Sequence, residues 1–296
     1  MRAEREPDLA LFTERVRAFL GREPVVHTVI CGVLALAERD PRQFESSSWF
    51  TVSGPGGGLA GVAMRVPPHP VAITPMPDEA LDVLVGLVAT ELPDVPGVAG
   101  PQPYVDRFAA RWRQRTGAEP SVKRQTRLFR LDEVTPPVQA DGPADGQPRP
   151  AGGQPRPAGG RLRPAAELPE YRELFAGWVR AFALEIDGEE PPEPAAFVQR
   201  LLNRGSLWVW CDPEPVSFAS TTVPAYATTR VGLVYTPKEL RGRGYASACV
   251  AAVSQNALDD GLAPVLFTDL ANPTSNRIYQ QIGYRPVADF CEYTFG

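Results

Sequence analysis

The sequence predicts an α/β fold arranged as two halves that repeat one succession of elements. Three observations carry that prediction. Residues 231–246, VGLVYTPKELRGRGYA, read as a strand, a turn at Thr236-Pro237, a loop of two arginines and two glycines, and the opening of a helix. Residues 135–160 differ in kind from everything around them: 13 of these 26 positions are Pro or Gly, none is aromatic, and GQPRPAG stands twice in tandem at 146–152 and 153–159. Such a composition buries too little apolar area to offset its ordering entropy, so it predicts a disordered, semi-extended linker. On either side of it, helices and strands alternate in a similar order.

The bulk numbers fit that organisation. A chain of 296 residues is long for one domain and comfortable for two, and 43% hydrophobic with 22% charged residues describes a globular protein. The formal net charge of −5 leaves no basic footprint for nucleic acid. Lysine occurs only at Lys123 and Lys238, so arginine abundance by itself marks no phosphate site. Cys31, Cys211, Cys249 and Cys291 lie far apart in apolar contexts, without CxxC spacing, and only His27 and His69 accompany them. That predicts buried thiols in a reducing compartment and no metal-ligand set. The N-terminus is charged, without a secretory h-region, and no apolar run approaches membrane length. The expectation is a cytoplasmic protein with neither a membrane nor a nucleic-acid partner.

Taken in order, Leu9, Phe12, Val16, Phe19 and Leu20 mark a helix over 9–20, and an apolar segment over 25–37 marks a second. Strands follow at 49–52, 59–66 and 71–74, the first two joined by Gly54-Pro55-Gly56-Gly57-Gly58. Pro77-Asp78 opens a helix through Glu91, a short strand is expected after Pro93, a helix covers 104–115, and 123–131 closes the half. After the linker come a short strand at 161–165, helices at 169–184 and 194–203, and strands at 207–211, 216–223 and 229–235. The helix after the loop runs to Asp259, a strand covers 265–270, Asn272-Pro273 starts a helix that ends at Gly283, and 284–295 supplies the last strand. The division is therefore 1–134, 135–160 and 161–296.

Glycines and arginines between a strand end and a helix start suit a phosphorylated ligand. Glycine lets backbone N–H groups approach and tolerates positive φ, the helix N-terminus adds partial positive charge, and arginine pairs with phosphate oxygens.

The C-terminal half, residues 161–296, resembles the GCN5-related N-acetyltransferase (GNAT) family. The family's pyrophosphate signature, Gln/Arg-x-x-Gly-x-Gly/Ala, is matched by Arg241-Gly242-Arg243-Gly244-Tyr245-Ala246 at the required junction. Its second signature is matched by Asn272, Tyr279 and Gly283-Tyr284. The resemblance implies a mixed, mostly antiparallel sheet flanked by helices, and acetyl-CoA as co-substrate without a metal. It implies that the backbone of Val234, Tyr235 and Thr236 pairs with the pantetheine arm and that the Arg241–Ala246 loop holds the pyrophosphate. Asn272 and Ser275 are implied contacts of the arm or its thiol end. Tyr279 is the implied general acid for the departing thiolate, and a phenol near ~10 against a thiol near ~8.5 suits the transfer.

The base for the attacking amine is not evident, because 229–235 holds no carboxylate; Asp269 and Glu185 are the candidates, beside an unaided amine of lowered pKa. The acidic stretch 187–193 (Asp187, Glu189, Glu190, Glu193) offers attraction for a cationic acceptor or is merely solvated. In the N-terminal half the corresponding junction reads Pro75-Met76-Pro77-Asp78-Glu79, with acids where phosphate would sit. That predicts a degenerate GNAT-like copy without a cofactor site, with an unrelated α/β domain as the alternative reading. Function is expected to be N-acetyl transfer to a primary amine, small-molecule or protein, by direct attack; the alternatives are a non-catalytic acyl-CoA-binding regulatory module and a tandem-GNAT aminoacyl transferase. Acceptor identity, acyl-chain length and oligomeric state are not legible.

Overall fold

The computed structural model describes residues 1–135, 160–186 and 188–296; the predicted linker falls almost wholly outside the described residues. The N-terminal half runs β1 (Arg2–Glu6), α1 (Leu9–Leu20), α2 (Thr28–Arg39), β2 (Ser48–Ser53), β3 (Leu59–Arg65), β4 (Val71–Ile73), α3 (Asp78–Glu91), β5 (Gly97–Pro101), α4 (Tyr104–Thr116) and β6 (Pro120–Arg130). The C-terminal half repeats it: β7 (Arg161–Pro164), α5 (Arg172–Ile186), α6 (Pro194–Asn203), β8 (Leu207–Cys211), β9 (Pro215–Thr221), β10 (Thr228–Tyr235), α7 (Tyr245–Asp259), β11 (Ala263–Asp269), α8 (Pro273–Ile282) and β12 (Arg285–Phe295).

Strand β1 is absent from the sequence-based expectation. Its residues, RAERE, carry no apolar face. It forms because it pairs antiparallel with β2 from Arg2↔Ser53 to Glu6↔Trp49. Arg15 donates to the nearly buried Glu6 carboxylate at 2.6 Å, so the charge at its inner end is compensated.

All twelve described strands form one sheet, ordered β1-β2-β3-β4-β5-β12-β6-β11-β10-β9-β8-β7. Neighbours are antiparallel except β4–β5 and β10–β11, which occupy the same place in each half. The centre is an exchange. Strand β12 lies between β5 and β6, and β6 lies between β12 and β11, so each half inserts its last strand into the other. The β6–β12 ladder is the longest, from Arg285↔Arg130 to Phe295↔Pro120.

The cores follow from this. In the N-terminal half α1 and α2 cover one sheet face, with Phe12, Leu20 and Leu34 over Trp49, Val62 and Met64. Helices α3 and α4 cover the other, with Leu81, Leu84 and Trp112 over Phe50, Ala63 and Cys291, the last contributed by β12. In the C-terminal half α5 and α6 pack Phe175, Trp178 and Val198 over Val209, Phe218 and Tyr235. Helices α7 and α8 pack Val250, Val253 and Ile282 over Val231, Leu266 and the β6 residue Phe129. Val25, between α1 and α2, reaches the central strands and meets Leu128, Val265 and Phe290. The four cysteines are buried free thiols, and burial pushes Cys31 and Cys249 up to about 12. Among the described residues no helix is long and apolar enough to cross a membrane.

Candidate functional site

The site is built where β10 leaves its neighbours. Its parallel pairing with β11 covers Thr228↔Ala263, Thr229↔Pro264 and Arg230↔Val265 and goes no further. Against β9 the register slips between Gly232 and Tyr235, and Leu233 takes φ 47 there. A non-glycine residue in the left-handed region costs about 1–3 kcal/mol and persists only where the surroundings enforce it. The bulge turns β10 away from β11, and the two strands splay apart.

The predicted backbone contacts lie on that splay. Tyr235 is registered with Phe218 of β9, so by strand alternation Val234 turns its polar groups to the open side. Tyr235 O accepts from Ser217 Oγ at 3.0 Å, and Ser217 Oγ accepts from Thr236 Oγ1 at 2.9 Å; both hydroxyl residues are buried. This hydroxyl pair stiffens the end of β10 and was not legible in the sequence. A serine on β9 carries no motif of its own.

The loop then reaches α7. Gly242 and Gly244 have φ 75 and 84, values that glycine adopts without the Cβ penalty. Gly244 is the N-cap and offers no capping side chain, so the first-turn amides of Tyr245, Ala246 and Ser247 have no side-chain competitor. No acid stands in that turn, which leaves the positive end of a 15-residue helix open to an anion. Tyr245 hydroxyl donates to Asp212 Oδ2 at 2.9 Å, fixing the helix start to the β8–β9 turn.

The arginines differ. Arg243 is exposed, its only hydrogen bond among the described residues a 3.4 Å contact to Glu239 O. Arg241 donates to both Glu185 oxygens at 3.0 and 2.8 Å and to Thr236 O at 2.9 Å, and its guanidinium lies 5.6 Å over the Tyr235 ring. Its visible role is to tie the loop to α5. Glu185 is thereby engaged, and it also receives Lys238 at 3.8 Å. Of the acidic stretch, Asp187 lies outside the described residues, and Glu190 pairs with Arg180 at 3.4 Å.

The other wall of the splay is the β11–α8 junction. Asn272 caps α8, its Oδ1 accepting from Ser275 N at 3.0 Å. Asp269 Oδ1 accepts from Ala271 N at 2.7 Å, a structural use of that carboxylate. Asn276 holds the junction together, donating to Asp269 O at 3.0 Å and Asn272 O at 2.9 Å and accepting from Thr268 Oγ1. It stands one turn beyond the asparagine that the sequence singles out.

Tyr279 borders the cluster of Cys249, Val250 and Leu266, as Val234 does, so the open edge of β10 and this phenol share the α7–α8 side. Its ring meets Tyr284 edge-on at 6.1 Å. Its hydroxyl has no hydrogen-bond partner among the described residues. Burial, with the neighbouring Cys249 thiol, raises its pKa to about 12. The phenol is therefore protonated throughout the neutral range and free to donate, although a weaker acid than an exposed tyrosine. Gly283, at φ 111, ends α8: Tyr284 N donates to Tyr279 O and Gly283 N to Gln280 O, both at 3.0 Å.

The equivalent place in the N-terminal half is packed differently. Strand β4 shows no register slip, and a Cβ on Gly100 of β5 would lie 2.6 Å from Ile73 Cγ1. Met76 fills the space over Gly61, where a Cβ would lie 2.7 Å from Met76 Cε. Helix α3 opens with Asp78 and Glu79, and Asp78 pairs with Arg107 and Arg111.

Residues 211–293 match the FR47-like protein family. No curated protein matches the chain. Solved structures match it along nearly its whole length at low identity. A GNAT-family acetyltransferase from Colwellia psychrerythraea superimposes with a TM-score of 0.61 at 11% identity, covering 100% of both chains. The tandem GNAT protein of the clavulanic acid biosynthesis pathway gives 0.55 at 14%, covering 99% of this chain and 98% of that one. A GCN5-related N-acetyltransferase from Sphaerobacter thermophilus gives 0.54 at 16%, covering 99% and 95%. The splayed strand pair, the glycine loop and these superpositions agree: the chain has the GCN5-related N-acetyltransferase fold, with an FR47-like segment at residues 211–293.

Proposed function

We propose that the protein is an acyl-CoA-dependent N-acyltransferase, with acetyl-CoA as donor and an amine as acceptor. The observation that carries this reading is one unbroken run of backbone features along the chain. The β10–β11 splay leads, through a loop with two positive-φ glycines, to the uncapped and acid-free N-terminus of α7. Pyrophosphate on the amides of Tyr245, Ala246 and Ser247 places the pantetheine arm along Val234, with Asn272 and Ser275 on the opposite wall. The neutral amine attacks the thioester carbon directly, the C–S bond breaks, and the thiolate takes the proton of Tyr279; the surplus proton on nitrogen leaves to solvent, which reprotonates the phenolate. Exposed Arg243 supplies phosphate charge, and Arg241 shapes the loop.

The halves divide the work in this reading. Residues 161–296 hold the donor, and residues 1–134 are a degenerate copy, closed at Ile73–Gly100 and acidic at α3, that serves as a wall for the acceptor.

Calorimetric titration with acetyl-CoA tests it. One site per chain is expected, with binding weakened at least ~30-fold by Ser247→Asp, because a carboxylate in the first turn stabilises the helix but repels phosphate. No binding, or unaltered binding in that variant, overturns the assignment. Two sites per chain overturn the degenerate N-terminal half.

A further inference from the structure

We propose that Arg230 is the anion-recognition residue of the acceptor site, and that the acceptor is an amine carrying a carboxylate close to its nitrogen. The inference rests on the acyltransferase reading and names its substrate class.

Arg230 occupies a particular point in the sheet. It is the last β10 residue paired to β11, opposite Val265, and so stands at the apex of the splay. Its neighbour Val231 packs under α7 with Cys249, Val250 and Leu266. Strand alternation puts Arg230 on the other face, the face on which Val265 meets Val25 and Leu128. Helices α7 and α8 close the donor side, so this opposite face is the one from which a nucleophile reaches the apex. Two separate clusters flank the position there. One belongs to α5 and α6, the other to Val25 of the N-terminal half.

The charge of Arg230 is unanswered. Its backbone N–H donates to Thr222 Oγ1 at 2.9 Å, but its guanidinium has no ion pair or hydrogen bond among the described residues. The residue is half-buried, and that partial burial lowers its pKa. Among the described residues no carboxylate acts against that shift, whereas Arg15 has Glu4 and Glu6 and Arg127 has Asp289. A half-buried guanidinium without a counter-ion among the described residues is open to an anionic ligand, and its planar fork fits a carboxylate.

The same cation answers the missing base. A fixed positive charge beside the nucleophile favours the neutral amine over the ammonium, so no strand carboxylate is needed. The amine loses its proton to solvent, and its lone pair forms the amide bond as the C–S bond breaks. Cationic acceptors such as polyamines are repelled, despite the acidic stretch near 190.

The test compares amino acids with their amides as acceptors of acetyl-CoA, together with binding of N-acetylglycine and N-acetylglycinamide in the absence of donor. In the full chain, amino acids are expected to exceed the amides at least ~30-fold in kcat/KM, as for a site that pairs a substrate group the amide lacks. N-acetylglycine is expected to bind and the amide not. Arg230→Gln removes both preferences without changing the affinity for acetyl-CoA, and Arg230→Lys keeps part of them. Equal use of acid and amide, or a Gln variant that slows both alike, overturns the proposal. Arg230-dependent carboxylate binding without any acetyl transfer upholds the anion site and sinks the acyltransferase reading instead.

Discussion

Trp112 of α4 stacks on Phe295, the penultimate residue of the chain, with ring centroids 4.9 Å apart and planes 10° from parallel. The end of the C-terminal half is thus a component of the N-terminal core. Phe129 of β6, fully buried among Val231, Leu266 and Tyr284, is the reciprocal component in the C-terminal core.

Each half lacks a central strand without the other, so unfolding is expected to be a single transition for both. Phe129→Ala removes a buried ring from the C-terminal core and should cost about 3–5 kcal/mol. Urea denaturation followed by tryptophan fluorescence checks this, since tryptophans lie in both halves. Two separate transitions, with only one of them shifted by the substitution, would show that the exchange does not couple the halves.

Gly97 faces the same seam. A Cβ there would lie 1.9 Å from Tyr293 O, a backbone atom that cannot swing aside. Gly97→Ala is expected to lose about 3 kcal/mol or more by forcing β5 from β12, at or beyond the upper end of overpacking costs. Gly56→Ala, where a Cβ meets nothing within 4 Å, is the control and should be nearly neutral. Similar melting temperatures for the two variants would contradict the close approach.

Tyr279→Phe is expected to lower kcat roughly 10²-fold while leaving acetyl-CoA affinity in place, the usual size of a general acid's contribution. The phenol, held near 12, keeps its proton across the working range. The rate should therefore rise with pH as the acceptor amine deprotonates, with no falling limb below about pH 10. A falling limb near neutrality that disappears in the Phe variant would mean that the hydroxyl titrates far lower than its burial implies.

His27 gives the fold an acid sensitivity. It is buried, hydrogen-bonded through Nδ1 to Leu20 O at 3.1 Å, and stacked on Phe19, and burial lowers its pKa. The unfolded chain therefore binds its proton first. Stability should fall as pH drops through the unfolded value near ~6.5, and continue falling until the lower folded value is passed. His27→Gln should flatten that part of a stability-versus-pH curve. An unchanged slope would assign the acid sensitivity to other groups.

The sequence by itself determined the local units. Apolar spacing of three and four gave α1, α5 and α7; short apolar runs between turn residues gave β2, β3, β8 and β9. The glycines at 242 and 244 and the Asn272-Pro273 start were legible because their backbone requirements are carried by residue type. Strand β1 was not, since RAERE has no periodic apolar face and owes its conformation to β2.

Only the tertiary structure decided which strand enters which half. Strands β6 and β12 have the same local character, and pairing partners far apart in the chain leave no mark on local composition. It also packed Ile73 and Met76 against Gly100 and Gly61, and assigned Arg241 to Glu185 while leaving Arg230 without a counter-ion among the described residues. Each of these depends on what a side chain meets across the sheet, and a charge acquires its meaning from neighbours that the linear sequence does not place beside it.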